Sequence, residues 1–81
     1  MSVELAAAEK VVGIKQVRRA LEQHTAHRVF LACDADPRLI QPLRLLCRQG
    51  SVPLDDSRTM RQLGRDCGIE VAASAAALLR K

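Results

Sequence analysis

The chain has 81 residues, with 13 Lys and Arg against 9 Asp and Glu, a formal charge of +4 and 48% hydrophobic residues. That length predicts a single domain over 1–81, and the aliphatic content excludes a disordered, collagen-like or disulfide-scaffold chain. Phe30 is the sole aromatic residue, which argues against modules that stack several bases on rings and for phosphate and groove-edge contacts.

In chain order, residues 3–10 favour a short helix by propensity, with Val3, Leu5 and Ala8 inward. Val11 and Val12 form a brief β-branched step that ends at Gly13. Residues 14–23 read as a helix, with Ile14, Val17 and Leu21 on one stripe and Lys15, Arg18, Arg19 and Glu22 opposite. Residues 28–33 are nearly all apolar and predict a strand buried on both faces. Asp36 is a good N-cap and Pro37 a good first residue for a helix over about 37–48. Leu39, Leu43, Leu46 and Cys47 are expected inward; Pro42 can kink its first turns, and Gly50 ends it.

Residues 52–55 predict a short strand, which Pro53 places at an edge or makes irregular. Thr59 and Gln62 have the spacing of a capping box. The helix they open is expected to break around Gly64 to Gly68. Residues 69–72 follow as a loop or turn, and residues 73–79 as a last small-residue strand. This alternation predicts an α/β layered sandwich, with about four strands and helices on both faces.

Cys33, Cys47 and Cys67 are odd in number and widely spaced. They read as small, reduced core residues of a cytoplasmic protein, and not as a disulfide framework or zinc site. The acidic N-terminal stretch does not read as a signal peptide, and no stretch reaches the ~18 apolar residues of a membrane span.

Two segments stand out as candidate sites. In the first, Gly13 precedes a helix whose first turn carries Lys15 and Gln16, with Arg18 and Arg19 one turn on. A helix N-terminus offers free N–H groups to a phosphate or base edge. Lys15 opposes the helix dipole there, so a ligand explains it better than packing does. Lys and Gln are natural readers of guanine and adenine edges, and Arg18 or Arg19 would add a phosphate contact. The competing reading is a solvated helix face. In the second segment, Ile69, Glu70, Val71 and Ala72 follow Gly68. They either expose aliphatic groups that cover an unstacked base or start a strand facing the core.

Two further motifs read as structural. Asp34 and Asp36 form a D-x-D after an apolar strand, a pattern also seen in magnesium-dependent phosphatases. With Pro37 next and no second acidic loop, capping is the preferred reading. His24 and His27 fall where the helix ends and read as a solvent-exposed turn without a third metal ligand. No Ser/His/Asp arrangement can be inferred, so the chain is not expected to be an enzyme or to need a cofactor.

G-I-K-Q-V (13–17), A-C-D-A-D-P (32–37), L-C-R-Q-G-S-V-P (46–53) and L-G-R-D-C-G-I-E-V-A-A (63–73) occur in this order. With them the chain resembles, from about Ala8 to Leu79, the kink-turn RNA-binding ribosomal-protein family, in its small bacterial branch. The resemblance implies a three-layer α-β-α sandwich with a small mixed four-stranded sheet. It also implies a monomer that binds structured RNA, ribosomal RNA among the candidates. A kink-turn is an RNA helix bent at a three-nucleotide bulge beside tandem sheared G·A pairs. The resemblance puts Gly13, Lys15 and Gln16 at the G·A guanines with Arg19 in support, and residues 69–72 near the extruded nucleotide. The kink opens a major groove that A-form RNA otherwise keeps too narrow for side chains.

This chain departs from the family pattern in places. Lys15-Gln16 stands where archaeal and eukaryotic members typically have Asn-Glu. Asp55 and Asp56 acidify a segment that is usually an apolar strand, and Asp66 replaces a small residue. Arg58, Arg61 and Arg65 are near enough in sequence to offset that acidity. The acidic residues support an alternative: a protein-interaction module that kept the fold and lost specific RNA binding.

Overall fold

A computed structural model describes residues 9–80. The elements run β1 (Lys10–Val12), α1 (Ile14–Glu22), β2 (Ala26–Leu31), α2 (Pro37–Gln49), β3 (Leu54–Asp55), α3 (Met60–Asp66) and β4 (Ala75–Leu79). The helix expected over 3–10 lies outside the described residues, apart from Glu9 and Lys10, and Lys10 opens β1.

The sheet has the order β1-β4-β2-β3. β4 is antiparallel to both neighbours, whereas β2 and β3 run parallel, joined through α2. The sheet is therefore mixed and four-stranded. Consecutive strand residues point to opposite faces. Val29, Phe30 and Leu31 of β2 and Ala75 to Leu78 of β4 are all buried, so both faces of the sheet are covered. α1 and α2 pack together on one side, and α3 lies against β4 on the other. The alanines of β4 let the layers approach closely around Val17, Leu43, Leu63 and Leu78.

Local chemistry sets most element ends. Asp36 accepts the Arg38 backbone N–H at 2.9 Å, and Pro37 occupies the first turn of α2. Thr59 and Gln62 close the capping box in both directions, at 3.2 and 3.0 Å. β3 is an edge strand preceded by Pro53, whose carbonyl accepts the Val29 N–H at 3.0 Å. That is the use a sheet edge has for a residue with no N–H of its own.

Five expectations need correction. β2 starts two residues earlier than 28, because a tight turn through His24 at φ 59 brings the chain straight back into the sheet. His27 consequently lies in β2, although exposed. Leu39 is 47% exposed, and Ile40 joins Leu43 and Cys47 on the buried stripe instead. Cys33 is exposed beyond the end of β2, while Cys47 and Cys67 are buried. Burial pushes both buried thiols up, which keeps them protonated and unreactive. Finally, β3 and β4 are shorter than expected, starting at Leu54 and Ala75 and not at 52 and 73.

Candidate nucleic-acid interface

Gly13 is the N-cap of α1 at φ 115, a conformation that L side chains rarely adopt. Its N–H donates to the Ala75 carbonyl at 2.8 Å, which extends the β1–β4 ladder one step past Val12 and Ala76. No side chain caps the helix, and no acidic residue sits in its first turn. Its first N–H groups therefore face outward uncapped, in a field that favours an anion. Lys15 and Gln16 are exposed in that turn. The Gln16 Oε1 folds back to within 2.6 Å of the place a Cβ on residue 13 would take. Gln16 and Arg19 line a groove between α1 and the β1 edge, with Val11 and Leu79. Arg18 is exposed and stands 3.7 Å from Glu22, a surface pair of little energetic weight.

The same hydrogen bond ties this helix start to the 69–72 loop, since Ala75 is the first residue of β4 and the loop leads into it. At its other side the Ala73 N–H donates to the Met60 carbonyl at 3.0 Å, fastening the loop to α3. Ile69 is half-buried against the core, whereas Glu70, Val71 and Ala72 are exposed. Val71 is 69% exposed, the most open of the large aliphatic side chains among the described residues. The loop thus divides the two readings of its sequence: Ile69 anchors it, and the next three residues face solvent.

Gly64 was not singled out by the sequence as part of this site. It is buried within α3, and a Cβ there would run into the Val71 carbonyl oxygen, with the Val71 carbon at 3.1 Å and the Ala72 Cα at 3.2 Å. Glycine at 64 therefore lets the loop backbone lie directly on the helix. The available signal was a lone glycine inside a helical pattern, which often marks a close backbone approach.

The acidic residues are paired internally. Arg58 Nε donates to Asp66 Oδ2 at 2.8 Å and Nη1 to Asp55 Oδ2 at 3.1 Å, and its guanidinium lies 5.2 Å from the centre of the Phe30 ring. Asp66 and Asp55 hold Arg58 firmly protonated. Asp56 pairs with Arg44 at 3.1 Å. The acidity that favoured a protein-interaction module is thus neutralised by neighbouring arginines. Arg61 and Arg65 take no part: among the described residues neither they, Lys15 nor Arg19 forms an ion pair.

Asp34 and Asp36 both cap helices. Asp34 Oδ1 accepts the Met60 N–H at 2.7 Å. Asp36 caps α2 and binds Arg38, whose hydrogen bonds hold its carboxyl below the usual range. Among the described residues no three His, Cys, Asp or Glu side chains converge as for a metal ion, and no helix is long and apolar enough to cross a membrane.

These features define a three-layer α/β domain with a polar, cationic face at one end of its sheet, around an aliphatic loop. The chain belongs to the ribosomal protein L7Ae/L30e/S12e/Gadd45 family, whose model matches residues 3–81. It is 40% identical over 76 residues to an RNA-binding protein of Geobacillus sp. strain WCH70, covering 94% of this chain and 93% of that one. It is 38% identical, over the same shares, to the RNA-binding protein YbxF of Geobacillus stearothermophilus. The solved structure of a Giardia lamblia 15.5kD RNA binding protein superposes with a TM-score of 0.82 at 26% identity. That match covers 89% of this chain and 61% of the Giardia chain. The family resemblance and the α/β sandwich with its mixed sheet are borne out.

Proposed function

We propose that this chain is a non-catalytic RNA-binding protein that recognises kink-turns by shape and a few guanine edges. Gly13 gives the RNA close backbone approach, Lys15 and Gln16 read the guanine edges, and Arg18 and Arg19 take flanking phosphates. Ile69, Glu70, Val71 and Ala72 meet the extruded nucleotide. The observation that carries this reading is the 2.8 Å hydrogen bond from Gly13 to Ala75. It joins an uncapped cationic helix start to an exposed aliphatic loop, so base edges and an unstacked nucleotide have adjacent binding surfaces. The relatives named as RNA-binding proteins support the same class of partner. A gel shift with a kink-turn duplex, beside a control lacking the G·A pairs, tests it. Tighter binding to the kink-turn is expected, and equal affinity for the two RNAs rejects specific recognition.

A further inference from the structure

Between the loop and α3 lies an open polar hollow. It is lined by Arg61 and Arg65 from α3 and by Ile69, Glu70, Val71 and Ala72. Arg61 and Arg65 are four residues apart, so one helix face presents both guanidiniums to the hollow. Both are exposed, and among the described residues neither forms an ion pair. Their nearest acidic neighbour in sequence, Asp66, is held by Arg58 at 2.8 Å. Glu70 is the one carboxylate in the wall, and two guanidiniums outweigh it.

We propose that Arg61 and Arg65 bind an RNA backbone phosphate in this hollow, so that the RNA footprint crosses the 69–72 loop and continues onto α3. This rests on the RNA-binding reading above and adds a contact to it. The loop supplies the continuity: Ala75 ties it to Gly13 and Ala73 ties it to Met60. RNA seated on the α1 side therefore has its next stretch of backbone over α3. Phosphate contacts position a nucleic acid without reading its sequence. The two arginines should thus add affinity and salt dependence, and leave preference between RNAs unchanged.

The test is a salt titration of RNA binding with the full chain, its Arg61→Ala/Arg65→Ala variant and its Arg61→Lys/Arg65→Lys variant. Each phosphate contact contributes roughly 0.7–0.9 to the slope of log K against log salt. The alanine pair is expected to lower the magnitude of that slope by about 0.7–0.9, the share of one phosphate. The ratio of affinities for kink-turn and control RNA should stay the same, and the lysine pair should keep the parent slope. An unchanged slope in the alanine pair overturns the proposal. So does a lysine pair that loses as much as the alanine pair, which would assign the arginines a packing role. The affinity ratio of the parent chain separately decides the kink-turn reading, because the slope change can be read on any structured RNA the protein binds.

Discussion

At the scale of single residues, the proposed reading rests on side chains with nothing to do in the folded chain itself. Lys15 and Gln16 are exposed, and neither caps α1. Replacing both by alanine should leave the melting temperature nearly unchanged, since surface substitutions away from special features stay within about 0.5 kcal/mol. In a gel shift the same pair should lose most of the preference for a kink-turn, at about 1–3 kcal/mol for each base-edge contact. Retained preference would move recognition elsewhere on the face. Gly64 makes the opposite prediction. In an open helix, Gly→Ala stabilises by up to about 1 kcal/mol. Here the new methyl meets the Val71 backbone, which has no flexible end to move. Gly64→Ala should therefore destabilise the chain by about 1–3 kcal/mol, as overpacking does. It should also weaken RNA binding by displacing residues 70–72. A raised melting temperature in thermal denaturation would show that the loop gives way freely.

At the scale of elements, Arg58 links three of them: it reaches Asp55 on β3 and Asp66 on α3 and covers Phe30 of β2. Asp66 is 13% exposed in its side chain, so losing its partner leaves a carboxylate that water reaches poorly. Arg58→Ala should destabilise by about 1–3 kcal/mol, read in urea unfolding. The Ser57 hydroxyl and backbone N–H, followed by Arg58, hold the Asp55 carboxyl below its ordinary value. Its stabilising effect is complete above the unfolded pKa of about 3.9 and is lost as pH falls through the folded value. Urea midpoints should therefore drop below about pH 4, and drop less in Asp55→Asn. Such long-range links are also where the sequence was least legible. Asp36, Pro37, Thr59 and Gln62 act within a few residues of themselves, and the helix starts they set were readable. The split of the 69–72 loop into an anchored Ile69 and exposed neighbours depends on a core made elsewhere. The place of Gly64 depends on a backbone contact seven residues away, and the pairing of Asp66 on Arg58 across the start of α3. Pattern alone could not distinguish Leu39 from Ile40 as the inward residue, because both fall near the same stripe.

At the scale of the whole molecule, the question is whether RNA affinity follows the net charge of +4 or the placement of that charge. Both ends of the sheet carry a cation. Lys15 lies in the first turn of α1, at the uncapped helix start. Arg80 follows the opposite end of β4, where its N–H donates to the Thr25 carbonyl at 2.7 Å. Five residue steps along the strand separate Ala75 from Arg80, a distance of about 16 Å at ~3.3 Å per residue. The Debye length at physiological salt is about 8 Å, so a charge that far from a phosphate is largely screened. Lys15→Ala and Arg80→Ala remove the same formal charge, yet they should behave differently. Lys15→Ala is expected to weaken kink-turn binding several-fold and to reduce its salt dependence. Arg80→Ala should leave both within measurement error at physiological salt. Equal losses in the two variants, measured by fluorescence anisotropy, would mean that diffuse charge attracts the RNA and that the face around Gly13 and Ala75 has no special part in holding it.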